Sequence, residues 1–136
     1  MSVDFGWWPR QSKNFGLIYY PIARIEVRYK RDDEWLPVHF LVDSGADITV
    51  MNKSDADDLG IDFEAGPRVP FGQATGDVLW ARIHKVAMKF KHMELPEVRV
   101  AFAERKVPTL LLGRIDINDF FDINLQGRAK RTVFVR

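Results

Sequence analysis

The feature that most restricts what this chain can become is the period-two alternation that sets in behind Leu17. Ala23, Ile25 and Val27 alternate with Arg24, Glu26 and Arg28, and successive side chains on a strand point to opposite faces. The pattern describes a ribbon with one face buried and one wet. The polar run Arg31-Asp32-Asp33-Glu34 reads as a hairpin turn and Trp35–Val42 as the returning strand. More strand material follows at Val78–Phe90, Val98–Ala103, Pro108–Leu112, Phe121–Leu125 and Thr132–Val135, with a turn over Lys91–Glu94. Two short stretches read as helix. In Ser54–Gly60, Ser54 can cap, the acids suit a positive helix start, and Gly60 can stop the helix; Ile115–Phe121 is the second. Residues 61–72 hold Gly66, Pro67, Pro70 and Gly72 and read as an extended loop. Gly6, Pro9 and Gly16 interrupt residues 1–16, an irregular N-terminal segment that Trp7 and Trp8 make sticky enough to pack on the domain or on a partner. No repeat or low-complexity linker divides the rest, so residues 17–136 are expected to form one mainly β domain.

Composition removes several classes of function. A net charge of +1 argues against a dedicated nucleic-acid surface. The densest basic stretch, Arg128-Ala129-Lys130-Arg131, lies between two strand-like runs and reads as a polar turn. With no cysteine, disulfide frameworks, thiolate zinc sites and cysteine nucleophiles are excluded, which fits a reducing cytoplasm. Met1–Asn14 lacks the apolar core of a signal peptide and no stretch approaches a membrane span, so a cytoplasmic protein without a membrane partner is expected.

Most polar clusters have plain explanations. Asp55, Asp57 and Asp58 suit a helix start better than a cation site. Asp116, Asp119 and Asp122 recur at helical spacing and read as a solvated helix face; a calcium loop beginning at Asp116 would need glycine at its sixth position, where Phe121 stands. His39, His84 and His92 lack ligand spacing and read as surface or satisfied core histidines, so no metal site is expected. Ser44 has no evident histidine partner. Gly72 and Gly76 lack the Gly-Lys-Ser/Thr of a phosphate loop. Trp35 and Trp80 sit in strand patterns and read as core or cleft wall.

One segment stands apart. Phe40-Leu41-Val42 runs straight into Asp43-Ser44-Gly45-Ala46-Asp47. An apolar strand thus delivers a carboxylate to its end, in a turn that Gly45 makes easily, with Ser44 and backbone N–H groups near its oxygens. Alone, the triplet is ordinary turn chemistry. Two other features accompany it: the glycine-bearing hairpin tip Phe71-Gly72-Gln73-Ala74-Thr75-Gly76-Asp77-Val78, and Leu110-Leu111-Leu112-Gly113-Arg114, whose glycine follows Asp43 by seventy positions.

These three elements, in this order, resemble the retropepsin-like aspartic proteases, the retroviral proteases and their cellular and prokaryotic relatives. The resemblance spans roughly Pro21 to Leu125. It implies a single-lobe, closed β-barrel acid-protease fold with one or two short helices. It further implies that Asp43 is the catalytic acid, that the Ser44 hydroxyl braces two active-site loops in a dimer, and that Gly45 and Ala46 line the cleft floor. Asp47 and Arg114 correspond to a supporting ion pair beside Gly113, and Gly72, Gln73, Ala74, Thr75 and Gly76 to a flap over substrate. The flap is less glycine-rich than in the viral enzymes, and residues 1–20 exceed the minimal viral domain. One such acid per chain implies a homodimer acting on peptide or protein substrates without a cofactor. The expected function is therefore aspartic endopeptidase at acidic to mildly acidic pH; the alternative is a catalytically silent dimer of this fold that binds peptide or assembles complexes.

Overall fold

The computed structural model describes residues 1–136. Twelve strands, one α-helix and one 3-10 turn follow in the order β1 (Ser2–Gly6), β2 (Trp8–Ser12), β3 (Gly16–Tyr20), β4 (Ile22–Arg28), β5 (Leu36–Val42), β6 (Thr49–Asn52), α1 (Lys53–Asp58), the 3-10 turn Phe63–Ala65, β7 (Arg68–Gly72), β8 (Val78–Phe90), β9 (Met93–Ala103), β10 (Leu111–Leu112), β11 (Asp122–Gln126) and β12 (Arg131–Val135). The main sheet runs β4-β5-β10-β6-β9-β8-β7, and β8 returns to pair with β4. Six strands therefore close a barrel, with β7 attached outside along β8. No helix is long and apolar enough to cross a membrane.

The alternation at the start of β4 does what period two predicts: Ala23, Ile25 and Val27 are all fully buried. β8, at thirteen residues, serves two partners, its first part facing β7 and its last part β4. The β8–β9 register shifts where Pro96 and Glu97 stand opposite Ala87, a bulge where proline's missing N–H costs no ladder bond. β10 inserts between β5, to which it is parallel, and β6, to which it is antiparallel. That insertion brings Val42 beside Leu112 across seventy residues of chain.

Residues 1–16 are not irregular. β1 pairs antiparallel with β12, which pairs with β11, giving a three-stranded terminal sheet; β2 and β3 form a separate two-stranded ribbon. Val3 and Phe5 are buried while Ser2, Asp4 and Gly6 are exposed, so β1 carries a short alternation of its own. Trp7 ties the segment down through its indole N–H to the Thr132 hydroxyl, 2.8 Å. An aromatic cluster joins this sheet to the barrel: Phe134 lies 5.7, 5.1 and 5.5 Å from the rings of Phe5, Phe90 and Phe121. Edge-to-face pairs of this kind add about 0.5–1.5 kcal/mol each beyond the area they bury.

Other expectations shift in detail. The helix starts at Lys53 with Asn52 as N-cap, not Ser54. Asp55 accepts the Asn52 backbone N–H, while the Asn52 carboxamide pairs with both backbone groups of Val107. The loop expected over 61–72 contains the 3-10 turn and β7. Ile115–Phe120 forms a series of turns rather than a helix, because Asp116 has φ of +68° and cannot propagate one. Trp35 and Trp80 are neither core nor cleft wall: Trp35 carries Arg28 and Lys89 over its ring at 4.1 and 4.8 Å, and Trp80 carries Arg68 at 3.9 Å.

Candidate active site

Asp43 is the first residue beyond β5. Its backbone N–H donates to the Leu112 carbonyl at 3.0 Å, continuing the parallel β5–β10 ladder by one bond. The chain then turns back. Ala46 N–H donates to the Asp43 carbonyl at 3.1 Å, and Gly45 N–H donates to Asp43 Oδ1 at 2.9 Å. This is the Asx-type turn expected of Asp before a small, permissive residue. Oδ2 carries no hydrogen bond from the chain. Asp43 is half-buried, whereas Ser44 and Gly45 are exposed.

The Gly113–Ile115 segment supports this turn from below. Gly113 N–H donates to the buried Thr49 hydroxyl at 3.1 Å. A Cβ at 113 would stand 2.3 Å from the Ile48 carbonyl carbon, so only glycine fits between the two backbones. Arg114 N–H donates to the Ala46 carbonyl at 3.0 Å and Ile115 N–H to the Asp47 carbonyl at 2.8 Å. The Arg114 guanidinium bonds the Ser44 carbonyl at 3.2 Å and pairs with the Asp47 carboxylate. The ion pair is solvent-exposed on both sides and contributes little to stability by itself. Its consequence is positional, since one side chain bridges two points of the turn.

The flap candidate is a hairpin of β7 and β8 whose tip runs from Gln73 to Asp77. Gln73 N–H donates to the Asp77 carbonyl and Gly76 N–H to the Gln73 carbonyl, both at 3.0 Å; Gly76 has φ of +87°. Gly72, Gln73 and Ala74 share with Asp43, Gly45, Ala46 and Asp47 a cleft of about 400 Å³, whose walls include Ile48, Val50, Leu79 and Leu111. Thr75 and Gly76 do not line it. A second cavity of about 370 Å³ opens on the other side of Asp43, bordered by Ser44, Gly113 and Arg114 together with Phe121, Ile123 and Leu125. Thr75 and Gly76 apart, the residues picked out from the sequence thus divide between two clefts that meet at Asp43.

Sequence reasoning missed two supports. Thr49 acts through a hydroxyl bond spanning sixty-four positions. Asp116, read as one of a solvated row of acids, instead accepts the backbone N–H, Nε and Nη2 of Arg99, each at 2.9 Å. Those hydrogen bonds hold its carboxyl below the usual carboxylate range, against a smaller opposing effect of burial. The positive φ at 116 was the feature that a sequence cannot display. Of the histidines, His84 bonds the Phe63 carbonyl at 3.0 Å and His39 packs against Trp8, ring centres 4.7 Å apart and tilted by 53°.

Residues 33–116 match the protein family described as "gag-polyprotein putative aspartyl protease". Among solved structures, a retropepsin-like aspartic protease from Rickettsia conorii superposes with a TM-score of 0.61 at 13% identity, covering 98% of this chain and 90% of that one. The EIAV protease complexed with the inhibitor HBY-793 superposes with a TM-score of 0.57 at 21% identity, covering 79% of this chain and 92% of that one. At these identities the superpositions establish the retropepsin-like fold. No curated protein matches the sequence.

Proposed function

The chain belongs to the gag-polyprotein aspartyl protease family, and from that premise we propose that it is an aspartic endopeptidase active as a homodimer, with one Asp43 from each subunit forming the catalytic pair. The observation that carries this reading is the state of the Asp43 carboxylate: Oδ1 is held by Gly45, Oδ2 is free of bonds from the chain, and the residue lines a cleft that it shares with the tip of a hairpin. Asp47, the other acid of that cleft, is engaged by Arg114. One available carboxylate is half of what the chemistry requires.

Hydrolysis of a peptide needs one group to take a proton from water and another to give a proton to the carbonyl oxygen. Two carboxylates brought together on a two-fold axis cannot both ionise comfortably, so they share one proton and supply both functions. The ionised member takes the water proton as the water oxygen attacks the carbonyl carbon. The protonated member donates to the carbonyl oxygen, and collapse of the tetrahedral intermediate releases the amine after proton return. The pair titrates as a unit, so activity belongs at acidic to mildly acidic pH, where one proton is retained. An extended peptide lying between the Gly45-Ala46 floor and the Gly72–Gly76 tip fits the strand-like mode in which such clefts bind.

The test is digestion of a peptide library by the wild type and by Asp43→Asn, with and without an active-site-directed aspartic-protease inhibitor. Inhibitable cleavage in the acidic range, reduced about a thousandfold or more in the variant with dimerisation unchanged, is expected. Cleavage retained by Asp43→Asn removes the mechanism. A folded dimer that cleaves nothing across the pH range would instead make the protein a binding module.

A further inference from the structure

The charges of this chain are unevenly spread. Residues 5–25 and 123–136 contain no Asp or Glu, although the whole chain has nineteen, and they hold seven of its twenty Lys and Arg residues. The fold brings parts of these two segments together. The Trp7 backbone N–H donates to the Lys130 carbonyl at 2.8 Å, and the Lys130 ammonium stands 5.4 Å from the Tyr19 ring centre. The β2–β3 ribbon therefore shares one end of the molecule with the turn between β11 and β12. Its register divides it into two faces. Trp8, Ser12, Ile18 and Tyr20 fall on one, where Trp8 packs against His39 and the other three are half-buried. Pro9, Gln11, Leu17 and Tyr19 fall on the other and are all exposed; Phe15, at the tip, is 80% exposed. Arg10 and Lys13 of the ribbon and Arg128 and Lys130 of the turn are exposed too, and none of the four has an acidic partner.

We propose that this end of the molecule docks on an anionic lipid bilayer, with Phe15, Leu17 and Tyr19 entering the headgroup boundary and the four cations meeting the lipid phosphates and carboxylates. Each half of the pattern has its own reason. Clustered apolar side chains on an exposed ribbon are costly in water, and a lipid interface removes that cost. Aromatic rings with a polar tip settle at headgroup depth. Each Lys or Arg near an anionic leaflet adds to the attraction, and its flexible stem keeps the charge wet while the apolar part is covered. Charge also argues against the other occupants. A second copy on a two-fold axis would set the patch against itself, cation against cation with no acid to answer. A nucleic-acid strand asks for flat rings along a basic groove, whereas Leu17 is aliphatic and the ribbon is a hairpin that pairs with no other strand. The expected lack of a membrane partner concerned spanning segments, and attachment to a surface needs none. The inference does not depend on the proposed catalysis.

Co-sedimentation of the full chain with vesicles tests this. Binding to phosphatidylcholine vesicles that contain phosphatidylserine, and not to phosphatidylcholine alone, is expected, and it should weaken as salt rises. Lys13→Glu with Arg128→Glu is expected to weaken it by about tenfold or more, and so is Phe15→Ser with Leu17→Ser. All four side chains are exposed and outside the core, so the fold should survive both pairs. Arg31→Glu, in the turn at the far end of β4, should change binding by less than about twofold. Because the chain has no cysteine, a polarity-sensitive dye on Asn14→Cys reports on the tip alone. Its emission should shift to the blue on anionic vesicles, and that of the same dye on Arg31→Cys should not. Equal binding to neutral vesicles, binding to neither kind, or capture with an unshifted dye at the tip overturns the proposal. Tighter binding to a single-stranded oligonucleotide or to polyglutamate than to vesicles also overturns it, assigning the patch to a nucleic acid or an acidic protein. So does loss of a dimer on changing Phe15 and Leu17, which would assign the patch to a second copy.

Discussion

Gly113 and Gly72 occupy opposite sides of the space around Asp43, and only at 113 does the chain require glycine. At 113 an added Cβ would run into the backbone of Ile48; at 72 it would meet nothing within 4 Å. The surroundings differ in the same way. Beneath Asp43, backbone bonds from Asp43, Arg114 and Ile115, the Thr49 hydroxyl and the Arg114 guanidinium all converge on one turn. In the hairpin, Arg68 forks onto Glu104 at 2.6 and 3.1 Å and sits 3.9 Å over Trp80 at the base, and the β7–β8 ladder runs up to Gly72 and Val78. From Gln73 to Asp77 the tip is held only by its own bonds. The contrast separates two demands on such a cleft. Under the proposed mechanism, a carboxylate that must meet another within hydrogen-bonding distance needs an over-determined turn, whereas a roof that must admit a chain needs a fixed root and a free tip.

The glycines give the sharpest test of that contrast. Gly113→Ala is expected to destabilise by about 3 kcal/mol or more, or to prevent folding, because backbone and not a flexible side chain must move. Gly72→Ala should stay within about 0.5 kcal/mol, as for surface changes without a named mechanism. Chemical denaturation of the two variants measures both, and similar values would erase the distinction. Next in size is Thr49→Val, which keeps the shape but leaves the Gly113 N–H buried without an acceptor. A loss of about 1–3 kcal/mol by the same measurement is expected, and a neutral outcome would mean the floor does not depend on that bond.

The smallest effect concerns Asp116, which ties the turn behind Arg114 to β9. Its carboxyl is held below the ordinary value, first by the Arg99 hydrogen bonds. A group whose folded pKa is depressed stabilises the fold above its unfolded pKa and loses that contribution as pH falls through the folded one. Asp116→Asn should therefore lower Tm by about a few degrees at neutral pH and less at pH below the usual carboxylate range of about 4. Thermal melts across that interval check it; an equal offset at every pH would assign the effect to packing alone.

Much of the barrel was legible: β4 follows from period two, the strand leading to Asp43 from the polar turn before it and its apolar run, and β8 spans the Val78–Phe90 read as strand. The Asp43 turn was legible because its stereochemistry is local, written in Asp43, Gly45 and the apolar approach. β1 was not, although Val3 and Phe5 alternate, because a five-residue alternation is weak by itself and its partner β12 lies at the other end of the chain. Ile115–Phe121 misled because acids and apolar residues fall at helical spacing there. The bidentate pairing of Asp116 with Arg99 accompanies a left-handed backbone that stops the helix. Thr49 belongs to the same class: a hydroxyl's worth is set by what folds against it.

The pairing of β1 with β12 has a kinetic consequence. A chain that closes its terminal sheet on itself completes its core, including Phe5 and Phe134, in a unimolecular step, without waiting for a second copy. Under the proposed mechanism, the appearance of activity would then be bimolecular, and at low abundance would rise with the square of the protomer concentration. On that reading such a chain is folded yet silent when dilute, its onset governed by how many copies share a compartment.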